Sequence, residues 1–238
     1  MSGARIGAVA VIVPAADEAD RIGACLDALR VARDRFRAHS KAPVRIVVVL
    51  DGCRDRTAER VAGYPEVEVV AIADRCVGAA RGAGSGRVLR TAGAPDGLWL
   101  ANTDADSTVP PDWLVEMVRL ADTGADLVLG TVQPTDELPP ALRARWLAQH
   151  DPADGHRHVH GANLGVRAGR LVELGGWAEL ATGEDVDLVA RAVVARAAVA
   201  RTGAIPVRTS ARMSGRTPHG FWSYLCALVG EPLGAGGL

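Results

Sequence analysis

No two of the four cysteines, Cys25, Cys53, Cys76 and Cys226, form a CxxC pair or stand at metal-ligand spacing. Their scatter excludes a zinc-finger framework and argues against a disulfide-stapled scaffold, and it suits reduced thiols in the cytoplasm. Long apolar runs are equally missing. Nothing approaches the roughly 18 to 20 consecutive apolar residues of a membrane span, and the Ala/Val-rich stretch 186–200 is broken by Arg191 and Arg196. The N-terminal apolar run leads into the acidic "AADEADR" rather than a small-residue cleavage site, so it reads as a first strand and not as a leader. An excess of either charge is missing too: 27 basic residues against 28 acidic ones give a net charge of −1. That rules out a surface-wide attraction to nucleic acid or anionic lipid, and leaves local binding, peripheral membrane contact and a homodimer open. Lysine is reduced to Lys41 beside abundant arginine and alanine, a coding bias to which no mechanism attaches. Without an internal repeat or low-complexity linker, residues 1–238 are expected to form one unit, divided functionally near residue 107.

What is present is an alternation. "AVAVIVP" is a β-branched run, and Ile22, Cys25, Leu26 and Leu29 follow it at the spacing of an amphipathic helix. "VRIVVVL" has the continuous apolar character of a strand buried on both faces, and "DGCRDRTAERVAGY" leads from it through a loop into a helix. "VEVVAIA" is a third strand, followed by a helix over 77–92 weakened by Gly82, Gly84 and Gly86. Each interior glycine costs about 1 kcal/mol, a cost that a close backbone approach would explain. "GLWLANTDAD" is a fourth strand, after which Pro110 and Pro111 start a helix with Trp113, Leu114, Met117, Val118 and Ala121 on one face. "DLVLGTVQP" is a fifth. Then come a helix with Leu142, Trp146 and Leu147, a polar loop "HDPADGHRHVH", a short strand "GANLGVR" and a helix from Asp185. This rhythm predicts an α/β sandwich around a mostly parallel sheet.

Polar residues follow the strands, where ligands of such sheets collect: Asp17 and Glu18, then Asp51, then Asp74 and Arg75, then Asp104 and Asp106. Individually, acids such as Asp17 and Asp55 could simply cap the next helix. Two positions apart, Asp104 and Asp106 would point to one side of an extended chain. Paired carboxylates raise each other's pKa unless a cation lies between them, and Mg²⁺ or Mn²⁺ prefers such oxygens together with phosphates.

Together, "VAVIVPAADEADRIGACLDAL", "IVVVLDGCRDRT", "VGAARGAG", "ANTDADSTVPPDWL", "GANLGVRAGRLVELGGW" and "GEDVDLVARA" resemble a family 2 glycosyltransferase of the GT-A fold, over roughly residues 8–196. The resemblance implies a transferase that uses a nucleoside-diphosphate sugar and Mg²⁺ or Mn²⁺, with a small-molecule, glycan or lipid-linked hydroxyl acceptor. Pro14, Ala16, Glu18 and Asp51 would hold the base, Arg81 would lie near the nucleotide, Asp104 near the ribose and Asp106 on the metal. Asp185 of the Glu184-Asp185 pair would be the base of an inverting transfer. "AADE" lacks the family's usual aromatic, Leu50 replaces the first of a paired aspartate, and Trp177 stands where phenylalanine is common.

Plainer readings stand beside these. "TGEDVDL" is also a good helix start with Thr182 as N-cap. His156, His158 and His160 would align on an extended segment as a metal site wants, but histidines of a polar loop are usually solvated, and His160 is favoured for an acceptor loop. Near the C-terminus Arg208, Arg212, Arg216 and His219 suggest diphosphate contact through an arginine fork such as Arg212, and the resemblance implies a further metal ligand in His219. They equally suggest a basic surface loop before a helix with Phe221, Trp222 and Leu225. Two other functions compete. A nucleotidyltransferase should carry a glycine-rich basic loop after the first strand, where "PAADEAD" is acidic. A non-catalytic nucleotide-sugar-binding or partner-binding module would fit the missing aromatic but not the retained acids.

Overall fold

The computed structural model describes residues 4–92, 95–135, 138, 140–150 and 153–211. Arg212, Arg216, His219 and the helix expected around Phe221 lie outside the described residues. One eight-stranded sheet spans both halves of the chain, in the order β3-β2-β1-β4-β7-β6-β8-β5. β1 (Ala8–Ala15), β2 (Val44–Asp51), β3 (Val67–Ile72) and β4 (Leu98–Asn102) are mutually parallel. β7 (Leu164–Arg167) runs antiparallel between β4 and β6 (Leu127–Pro134), and β8 (Val199–Thr209) returns parallel to β6. The two-residue β5 (Ser107–Thr108) closes the far edge against β8.

The period of two along β1 sorts its side chains. Val9, Val11 and Val13 face one core with α1 (Ile22–Arg37), α2 (Thr57–Ala62), α4 (Trp113–Asp122) and α5 (Pro140–Gln149). Ala10 and Ile12 face a second core with α3 (Val77–Leu89), α6 (Ala168–Glu173) and α7 (Glu184–Val194). Both faces of the sheet are therefore covered, which is why β1, β2 and β4 read as unbroken apolar runs. Each fully buried Val, Ile or Leu here contributes about 1.5–3 kcal/mol against exposure.

The glycines of α3 separate into two kinds. A Cβ on Gly84 would stand 2.7 Å from Ile12 Cγ2 and 3.0 Å from Val49 Cγ2, so this glycine lets the helix lie directly on β1 and β2. Gly82 meets nothing within 4 Å. Gly82→Ala is therefore expected to raise stability by about 0.5–1 kcal/mol, and Gly84→Ala to lower it by about 1–3 kcal/mol. Urea unfolding of the two variants side by side checks the opposite signs.

Several expectations need correction. β4 ends at Asn102, and Asp104 and Asp106 lie in a turn closed by the Ser107 amide donating to the Asp104 carbonyl at 3.1 Å. A turn, not an extended chain, carries both acids. The segment "GAN" is a single 3₁₀ turn before β7. β8 escapes a pattern reading because Gly203 and Pro206 interrupt it, and the β6–β8 register shifts between Gly130 and Val132. The N-cap of α7 is Gly183 at φ 82°, not Thr182, and no side chain caps it. Asp17 caps no helix either: its carboxylate accepts the Arg54 and Asp55 amides of the next loop.

Candidate active site

At the carboxyl ends of β1, β2 and β4, where the strand order reverses, lies a cavity of about 670 Å³. Pro14, Ala16, Glu18, Asp51, Arg81, Asp104, Asp106 and Asp185 all line it. Asp17, Asp74, His156 and Arg208, also noted from the sequence, are not among the residues that line it.

The wall at the ends of β1, β2 and β3 is built by loops that fasten one another. Asp51 is buried, and its two carboxylate oxygens accept the Arg75 and Cys76 amides at 2.6 and 2.7 Å. Arg75 in turn donates to the Gly52 carbonyl and to Asp17. Asp17 (φ 55°) and Arg75 (φ 49°) both sit in the left-handed region, where only the surrounding bonds make a non-glycine residue tolerable. The Arg54 amide, beside Arg75, holds the Asp17 carboxyl below its ordinary value, against a small opposing effect of burial. Glu18 is buried, and its amide donates to Thr57 Oγ1 at 2.7 Å. Thus the loops after β1, β2 and β3 form one continuous rim.

Arg81 lies beneath the floor. It is 1% exposed and donates from Nε to Glu184 at 2.9 Å and from Nη2 to Asp104 at 2.7 Å, with Trp177 5.6 Å from its guanidinium carbon. Burial alone would lower the arginine's pKa, but Asp104 and Glu184 more than reverse this and hold it above its ordinary value. Burial pushes the Glu184 carboxyl upward, and Arg81 offsets that only in part. Gly161 covers the guanidinium so closely that a Cβ there would stand 2.5 Å from Nη2. The two acids of the "ED" pair thus divide. Glu184 is tied into this buried clasp. Asp185 is half-buried at the cavity surface, accepting the Gly161 amide on Oδ2 at 2.6 Å and the Val186 amide on Oδ1 at 2.8 Å.

Asp106 supplies a carboxylate at the turn after β4 and suits a hard divalent cation by its donor chemistry. Among the described residues no group of three or more His, Cys, Asp or Glu could hold a metal by itself. Such a cation would therefore take most of its oxygens from a phosphate ligand and water, as Mg²⁺ commonly does. Oδ1 of Asp104 accepts Arg81 Nη2 at 2.7 Å, and Oδ1 of Asp106 accepts the Ser107 hydroxyl at 3.4 Å.

The histidines are not solvated. His156 is buried, His158 and His160 are half-buried, and His158, His160 and His150 line the cavity beside Trp146. Sequence reasoning missed His150, although its position four residues after Trp146 puts the two on one helix face and stacks their rings. Gly161 as the partner of Asp185 was also not legible, because a backbone amide has no side-chain signature.

The model of the family described as "Glycosyl transferase family 2" matches residues 10–163. The chain belongs to that family. Among curated proteins, this family 2 chain is 38% identical over 96 residues to the succinoglycan biosynthesis protein ExoO of Rhizobium meliloti (strain 1021), covering 39% of this chain and 26% of that protein. Among solved structures it resembles S. aureus TarS in complex with UDP-GlcNAc, with a TM-score of 0.64 and 15% identity over 93% of this chain and 65% of that one. It also resembles the mannosyltransferase PcManGT of Pyrobaculum calidifontis in complex with GDP-Man and Mn²⁺, with a TM-score of 0.58 and 21% identity over 92% and 68% of the two chains. The family 2 chain thus spans about a quarter of the curated relative (26%) and just under two thirds of the TarS structure (65%). The α/β fold with a mostly parallel sheet is the GT-A fold of these structures. Among the described residues no helix is long and apolar enough to cross a membrane.

Proposed function

We propose that this chain, acting in the cytoplasm, transfers a sugar from a nucleoside-diphosphate sugar to an acceptor hydroxyl, with inversion and with Asp185 as general base. The observation that carries the reading is the convergence of a fastened nucleotide rim, the Asp104–Asp106 turn and Asp185 on one cavity. Relatives in the fold bind UDP-GlcNAc in one case and GDP-Man with Mn²⁺ in another, which supports a nucleotide-sugar donor without choosing its base.

The chemistry asks for two things. Charge growing on the departing diphosphate must be neutralised, and the acceptor must lose a proton as its oxygen bonds to the anomeric carbon. Pro14, Ala16, Glu18 and Asp51 would shape the seat of the base and ribose, with Asp104 at the ribose edge. Arg81 Nη1 is buried with no partner among the described residues, and it is the guanidinium nitrogen that a diphosphate oxygen reaching the floor of the site would engage. A Mg²⁺ or Mn²⁺ ion on Asp106, when bound, supplies the Lewis acidity that stabilises the leaving diphosphate. Asp185 takes the acceptor proton while the anomeric carbon–oxygen bond to the diphosphate breaks. Its two backbone hydrogen bonds fix the carboxylate's direction and leave a lone pair on each oxygen for the acceptor.

Incubation with UDP- and GDP-sugars, with and without Mn²⁺ and in the absence of acceptor, tests the reading. Slow metal-dependent release of nucleoside diphosphate is expected, with Asp106→Asn cutting it by about 100-fold or more and leaving the melting temperature close to wild type. No release from any donor would turn the reading toward a non-catalytic binding module.

A further inference from the structure

The wall that continues from Asp185 is made of stacked aromatic rings. Trp146 and His150 stack with centroids 3.3 Å apart and planes at 10°, and His158 stacks on the other side of His150 at 4.5 Å and 22°. His156 and His160 flank His158 at 5.7 and 5.9 Å. The segment is pinned to β8, because Arg201 Nη1 donates to the His156 and His158 carbonyls at 3.2 and 3.3 Å. Its last histidine, His160, directly precedes Gly161, whose amide holds Asp185. The ring stack therefore ends at the proposed base.

Rings this close resist protonation, because a charge on one raises the cost of charging the next. Burial, followed by the charges of the neighbouring rings, pushes His160 down to about 3, and burial lowers His150 and His156 as well. At neutral pH His150 and His160 therefore give the cavity flat apolar faces with polar edges and no charge, and the buried His156 backs them. The same cavity is lined by Asp104, Asp106 and Asp185, and its lining arginines, Arg75 and Arg81, are paired with Asp17 and with Asp104 and Glu184. An anionic acceptor would meet carboxylates and rings that cannot compensate its lost hydration. A pyranose is suited to both surfaces, with C–H faces for the rings and hydroxyls for the imidazole edges and the acids.

We infer that the Trp146–His150–His158–His160 wall is the acceptor subsite and that it selects an uncharged sugar ring. This rests on the transferase reading given above and names its acceptor class. His158, half-exposed between its neighbours, is the specificity-determining ring.

The test pairs p-nitrophenyl glucoside with p-nitrophenyl glucuronide, and the corresponding galactoside pair, as acceptors for whichever donor is cleaved. The neutral member of each pair is expected to have a kcat/KM higher by about tenfold or more. His158→Phe retains a flat ring at this position and should keep that preference, whereas His158→Arg should shift the ratio toward the uronide by about tenfold, through acceptor KM more than donor KM. Equal or better use of the uronides by wild type, transfer to no neutral glycoside despite donor cleavage, or an unchanged ratio in a folded His158→Arg protein each overturns the inference while leaving the transferase reading standing. Absence of donor cleavage overturns both.

Discussion

Replacing Arg81 by methionine is expected to destabilise the protein by about 3–5 kcal/mol, the cost of leaving one partner of a buried ion pair alone. The two acids it binds do not share this cost equally. The Asp104 side chain is 38% exposed and can be hydrated, whereas that of Glu184 is 6% exposed and cannot. Most of the loss should therefore come from Glu184, and Glu184→Gln in the same chain should recover a large part of it, since a neutral amide is cheaper to bury than an unpaired carboxylate. At 2–4 °C per kcal/mol for a chain of this size, the single variant should melt roughly 10 °C below wild type. A drop of only a degree or two, or no recovery in the double variant, would show that the clasp between the Asp104 turn and α7 is not holding the floor of the site. Arg81→Lys should be a poor substitute, because one ammonium does not reproduce a fork that reaches Glu184 through Nε and Asp104 through Nη2.

The second large effect belongs to Asp185. Asp185→Asn is expected to lower kcat for transfer by about 10²–10⁴-fold, the range for removing a general base, with little change in donor KM. Stability should change little. The asparagine carbonyl can still accept the Gly161 amide that Asp185 Oδ2 accepts now, and the Val186 amide that loses Oδ1 lies at an exposed position where water replaces it. Comparing it with Glu184→Gln separates the neighbours: the Asp185 variant should lose turnover while keeping its melting temperature, and the Glu184 variant should lose stability first. Transfer at wild-type rate by Asp185→Asn would sink the assignment of the base.

The α/β architecture was legible in the amino-acid sequence, because a sheet buried on both faces demands predominantly apolar strands such as Ala8–Ala15, Val44–Asp51 and Leu98–Asn102, and helical periodicity needs only local spacing. The strand ends also brought Glu18, Asp51, Arg75, Asp104 and Asp106 to one cavity, since polar residues after parallel strands meet at one edge, whereas Arg81 and Asp185 were legible only through the family resemblance. Tertiary structure decided what depends on distant partners. The Asp104–Asp106 pair lies in a turn, because Ser107 pairs with Thr209, 102 residues away. The Glu184–Asp185 pair splits into a clasp and a candidate base because Arg81 comes up beneath one of them. Histidines in a polar stretch became a buried stack because α5 brings Trp146 and His150 against them. Burial and pairing of this kind are set by segments far apart in the chain, and local pattern does not encode which of them will meet.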